Sequence, residues 1–213
     1  MNAADAQDYA GQRARMVAEV EAMYAATRGD TGLASMSPQV RAAMAKVERH
    51  RFVPAGQQSL AYRNHPLPIG SGQTISQPYI VALSTDLAAP RAGQAVLAEI
   101  AGRVYTVELI ESLGREAAAR LSAAGYANVE VRIGDGYAGW PEKAPFDAIV
   151  VTAAAPRVPE ALLGQLKPGG RMVIPVGATH EVQELRLLVK RADGGIEQRS
   201  VLPVRFVPLV PGK

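Results

Sequence analysis

Apolar positions recur at helical spacing at the start of the chain. Tyr9, Met16, Val17, Val20, Met23 and Tyr24 share one face of an amphipathic helix, broken by "RGDTG" from Arg28. Ser37-Pro38 reads as a cap with proline in the first turn of a second helix, whose face carries Val40, Met44 and Val47. Residues 51–78 are irregular and rich in Gly and Pro, and "PYIVALSTDLAA" predicts a third helix. From residue 104 strands alternate with helices. "VYTVEL" is a strand, Ile110, Leu113, Ala117 and Leu121 mark a helix face, and Gly125 closes it. "NVEVRI" alternates as a half-exposed strand, whereas "FDAIVVTAA" is an unbroken apolar run, as in a central parallel strand. A short helix over "PEALLGQL", a strand over "RMVIPVG", and two strands joined at "ADGG" complete the pattern. The prediction is an α/β chain: a doubly wound, mostly parallel sheet, a helical N-terminal segment and an antiparallel C-terminal strand pair.

Composition narrows the function. With 213 residues, 48% of them hydrophobic, a single domain with a substantial core is expected: a helical part over 1–60, a connecting segment and helix over 61–94, and the α/β core over 95–213. The absence of Cys excludes thiol nucleophiles, disulfides and thiolate metal sites. His50, His65 and His180 lack ligand spacing, so no metal is expected. The net charge is only +3 and the basic residues are scattered, so no nucleic-acid partner is expected. No signal-type start and no apolar run of membrane length are present, which predicts a cytoplasmic chain without a membrane partner.

Three stretches, "LPIGSGQTISQPYIVALSTDL", "GDGYAGWPEKAPFDAIVVTAAAPRVPEALLGQLKPGGRMVIPVG" and "VRFVPLV", together resemble the protein-L-isoaspartate O-methyltransferase family from about Ser37 to Val210. The resemblance implies a methyltransferase fold, S-adenosylmethionine as cosubstrate, and damaged proteins or peptides containing isoaspartyl residues as methyl acceptors. It also implies a monomer.

That resemblance exposes a gap. Family members carry a strand, a glycine-rich turn and a helix start after the position of Gln94; here "AVLAEIAGRVYTVE" follows at once. About a dozen residues are missing. If "AVLAEI" took the place of the first strand, only Ala101, Gly102 and Arg103 would link it to "VYTVEL". Parallel neighbours need a crossover of about a dozen residues, so the two could pair only as an antiparallel hairpin. If "AVLAEI" is instead the end of the family's helix, the sheet lacks a strand. Either way the close-approach glycines that admit the cofactor are absent.

The resemblance assigns roles residue by residue. Glu108, at a strand end, would accept from the ribose hydroxyls, as acidic residues do in dinucleotide folds; otherwise it is a solvated terminus. Asp135 and Gly136 would lie near the adenine, or else form a plain turn. Ser76 would touch the substrate carboxylate and also cap the following helix. Gln73, Thr74 and Ile75 would belong to the same peptide-binding segment. Thr152 and Ala153 lie past a strand's carboxyl end, where open α/β sheets bind ligands. Asp147 and Trp140 read as structural, and His65 and His180 as surface residues. No general base is needed, because a carboxylate with a pKa near 4 is ionised at neutral pH; the task is positioning. Two alternatives stay open: a homologue that binds peptides without catalysis, and a small-molecule methyltransferase.

Overall fold

The computed structural model describes residues 8–89, 95–179 and 181–212. Gln94 and His180 lie outside them. Helix α1, Tyr9–Thr31, buries Met16, Val17, Val20 and Tyr24. It continues through the predicted break, because a mid-helix glycine costs only about 1 kcal/mol. The stop is Gly32, whose left-handed φ of 76° lets its N–H reach the Arg28 carbonyl. Helix α2, Pro38–Lys46, begins as predicted, with the Ser37 side chain accepting from Val40 N at 3.3 Å.

Within the stretch predicted to be irregular, two short 3-10 turns (Arg49–Phe52 and Ala55–Leu60) lead into an antiparallel hairpin. Its strands are β1, Leu67–Gly70, and β2, Gln73–Ile75. The turn between them places Gly70, Ser71 and Gly72 all at positive φ. Helix α3, Pro78–Ala88, follows and is largely buried. Its N-terminus corrects one expectation: Ser76 is not the cap. Gln77 holds the cap position without a side-chain bond, and Asn64 supplies the acceptor, its Oδ1 lying 3.0 Å from Tyr79 N.

The short helix α4, Ala95–Ala98, resolves "AVLAEI" in favour of a helix. Strand β3, Val104–Glu108, helix α5, Glu111–Ala123, and strand β4, Val129–Ile133, follow, and β3 pairs parallel with β4. Strand β5, Phe146–Val150, pairs parallel with β6, Leu166–Val176, after helix α6, Glu160–Gly164. Strands β7, Gln183–Lys190, and β8, Ile196–Val204, add antiparallel.

The α/β class and the antiparallel end are therefore as predicted, but the sheet is in two pieces. One holds β3-β4; the other runs β5-β6-β7-β8. Among the described residues β5 has a partner on one side only, so it is an edge strand rather than a central one. The core sits on the larger piece. Val173, Leu185 and Val201 face α1 to α3 with Val20, Tyr24 and Leu83; Met172, Ile174 and Leu188 face the other way, towards Leu162. This alternation is the pleat of a sheet covered on both faces. In contrast, only Val104 of β3 is buried, and no residue of β4 or β5 is.

Candidate active site

A cavity of about 930 Å³ lies where the two sheet pieces face each other. This is at the upper end of small-molecule sites. Gln73, Thr74, Ile75 and Ser76 reach it from β2 and the turn into α3; Glu108 and Gly136 reach it from the β3-β4 side; Thr152 and Ala153 reach it from beyond β5. Eight of the nine predicted site residues thus line one space. Asp135 does not line it; its Oδ1 accepts from Tyr137 N at 2.7 Å, a bond that closes the turn across Gly136.

Local structure explains each placement. The hairpin sets Gln73, Thr74 and Ile75 opposite Gly70, Pro68 and Leu67. Beyond β5 the chain is held by the C-terminal segment: Ala154 N donates to Val207 O and Leu209 N to Ala154 O, both at 2.8 Å. That joins "TAAAP" to "VRFVPL", and Phe206 to Val210 line the cavity too. Glu108 Oε1 accepts from Ile110 N at 2.8 Å just before α5, and among the described residues the second oxygen has no hydrogen-bond partner. Trp140 packs edge-on to Tyr105 at 5.6 Å, with Arg132 and Lys143 over its ring, and Asp147 pairs with Lys167 at 2.8 Å. Both residues, read as structural from the sequence, make these packing and ion-pair contacts at the cavity wall. His65 is exposed.

Among the lining residues that were not predicted, Arg49 stands out for its buried charge. Arg49 is 8% exposed, and its Nη2 donates to Ser76 O at 2.7 Å while Nε donates to Ala61 O at 2.9 Å. No carboxylate pairs with it among the described residues. Burial pulls the guanidinium down to about 10, so it stays charged at neutral pH. A positive charge is therefore held beside Ser76. In the sequence Arg49 stands in the basic cluster "VERHR", which by itself does not mark a buried residue. Among the described residues no cluster of His, Cys, Asp and Glu could hold a metal.

Glu108 and Gly136 face the cavity from the β3-β4 side, close to the Asp135 turn. Of the glycines at the cavity, a Cβ at Gly136 would meet Leu209 at 3.1 Å and one at Gly139 would meet Gln165 at 2.5 Å, so both serve protein packing. Gly102 stands alone. No glycine-rich turn follows a first strand in this chain.

Comparison with known proteins identifies the lineage. The family model for protein-L-isoaspartate(D-aspartate) O-methyltransferase matches residues 26–100 and 91–213. Its match is in two pieces that meet where the sequence gap lies. A Polaromonas protein-L-isoaspartate O-methyltransferase is 54% identical over 207 aligned residues, covering 91% of this chain and 98% of its own. One from Nitrosospira multiformis is 54% identical over 220, covering 97% of this chain and 90% of its own. Since 97% of 213 residues is about 207, roughly thirteen of those 220 positions have no residue here. A solved protein-L-isoaspartate O-methyltransferase superposes with a TM-score of 0.77 at 25% identity, over 92% of this chain and 65% of that one. A Plasmodium falciparum structure in complex with S-adenosyl-L-homocysteine gives 0.70 at 21% identity, over 92% and 97%. The chain belongs to the protein-L-isoaspartate O-methyltransferase family of S-adenosylmethionine-dependent enzymes.

Proposed function

We propose that the cavity takes the free α-carboxylate of an isoaspartyl residue in a damaged protein and presents it for methylation. The observation that carries this reading is the convergence of Gln73–Ser76 and Thr152–Ala153 on one space, with the Arg49 charge behind Ser76. The substrate carboxylate arrives ionised. Ser76 donates its hydroxyl to the carboxylate, Gln73 to Ile75 hold the flanking peptide, and the small residues after β5 leave room beside the acceptor oxygen. Glu108, Asp135 and Gly136 hold the adenosine end of the methyl donor. Catalysis here is alignment and exclusion of water.

Missing glycines favour one second reading: the chain binds isoaspartyl peptides without methylating them. Both readings meet in one experiment. An isoaspartyl peptide and its aspartyl twin are given to the chain, and to a version with a family-type strand and glycine turn after Gln94, at saturating S-adenosylmethionine. Methanol released from the methyl ester measures turnover. The proposal predicts turnover of the isoaspartyl peptide alone, stronger in the restored chain. Equal methylation of both peptides, or none by the restored chain, overturns it. Turnover confined to the restored chain favours the second reading for the chain as it stands.

A further inference from the structure

The amides of β3 and β5 show where the two sheet pieces are open. Successive residues of a strand direct their N–H and C=O to opposite edges. Val104 N donates to Asn128 O at 2.9 Å, and Glu108 O accepts from Gly134 N at 3.0 Å, so even-numbered residues of β3 face β4. Tyr105, Val107 and Leu109 face the other way. Val151 N donates to Val173 O at 2.9 Å, so Ala148, Val150 and Thr152 turn away from β6. All six line the same cavity. Among the described residues no strand pairs with β3 from Tyr105 to Leu109 or with β5 from Ala148 to Thr152; past Thr152 the C-terminal segment closes that edge through the Ala154–Pro208 bridge.

We propose that this slot is a binding site for an extended apolar peptide, five or six residues long, that inserts between β3 and β5 and hydrogen-bonds to both. Each edge is about 17 Å long at 3.3–3.4 Å per residue. Ile80 and Val81 from α3 and Leu113 and Ala117 from α5 line the cavity as well, so the occupant is apolar on its side chains and uncharged at its centre. Tyr105, Val107, Ile149 and Val150 are only half-buried, although apolar parallel strands are ordinarily covered on both faces. Inserting a strand completes that burial and satisfies both rows of amides. A second copy of this chain cannot do the same with its edge strands, because each has one free edge and the slot needs a strand free on both. The family model's match changes segment at residues 91–100, just before β3. The inference concerns binding and does not rest on methyl transfer.

The test uses the full chain and a fluorescent, acetylated peptide with a Val-Leu-Val-Ile-Val core between lysines. A control peptide carries proline at the central position, which removes an amide from the ladder. The expected result is saturable one-to-one binding, at least tenfold slower hydrogen exchange at the six amides, and no binding of the proline peptide. Trp140, the sole tryptophan, lies against Tyr105 and reports the event by a change in its emission. Val107→Pro keeps the β3-β4 ladder, since that amide faces the slot, and is expected to weaken binding at least tenfold. Absence of binding by the apolar peptide overturns the proposal. So does equal binding of the proline peptide, protection at β8 in place of β3 and β5, or association of copies through the slot. The peptide pair decides the matter on the unaltered chain even where the variant fails to fold.

Discussion

The hydroxyl of Ser76 makes no hydrogen bond among the described residues, while its carbonyl is anchored by Arg49 at 2.7 Å. The two groups predict different things. Ser76→Ala removes no protein contact of that hydroxyl, so its melting temperature stays near the parent value. Its turnover on an isoaspartyl peptide, measured on the restored chain, falls about tenfold or more as a charge-directed donor is lost. Arg49→Met leaves Ser76 O and Ala61 O without their donor. It is expected to cost about 1.5–3 kcal/mol in urea unfolding, and Arg49→Lys restores little, because a point charge cannot fork to two carbonyls. His50 adds a pH dependence. Its ring stacks on Tyr9 at 3.9 Å, and its Nδ1 lies 2.8 Å from the Tyr62 hydroxyl. Burial lowers its pKa below 6.5, so the folded chain prefers the neutral ring. The associated stability is complete above pH 6.5 and is lost as pH falls through the folded value. Melting temperatures between pH 7.5 and 5 are expected to drop, and His50→Gln to flatten that slope. At this scale the sequence was legible where a residue's role follows from its own type and neighbours, as at the Ser37 cap. It was not legible where a distant residue took over: Asn64 caps α3 across thirteen intervening positions, and Arg49 is buried by segments remote in sequence.

Elements with a strong period formed where the pattern put them. Helices α3 and α5 and strands β6 to β8 are long enough for periodicity or an apolar run to fix their character. The hairpin β1-β2 escaped because its strands have four and three residues, and its turn is built from three successive left-handed residues rather than a two-residue glycine turn. The end of α1 was misplaced for a different reason: Gly29 resembled a stop, yet the left-handed position is Gly32. Nothing lies within 4 Å of a Cβ built on Gly32, so only the backbone resists substitution there. Gly32→Ala is therefore expected to cost about 1 kcal/mol in chemical unfolding, and Gly29→Ala to be neutral or stabilising.

Over the whole molecule, the described residues place no strand between β3 and β5, and the sheet is in two pieces. The larger sheet has two hydrophobic clusters and carries α1 to α3; the β3-α5-β4 unit buries only Val104 and Gly114 of its own elements. It is fastened to the rest by polar ties, such as Arg120 to Val53 O at 2.8 Å and Arg51 to Ala123 O at 2.7 Å. Native-state hydrogen exchange is expected to find β3 and β4 opening at much lower free energy than β6 and β7. The gap itself was legible from the sequence, since a three-residue link cannot carry a parallel crossover. Its consequence, a sheet divided rather than re-paired, needed the fold. On the proposed reading, Glu108, Asp135 and Gly136 hold the adenosine end of the cofactor, and the glycine turn missing after Gln94 would hold its methionine end. Calorimetry with S-adenosylhomocysteine tests it directly, on the chain and on a version carrying a family-type strand and glycine turn between Gln94 and Ala95. The account predicts at least about tenfold tighter binding by the restored chain, a gain of 1.4 kcal/mol or more, together with a higher melting temperature. Equal affinity of the two chains would contradict it.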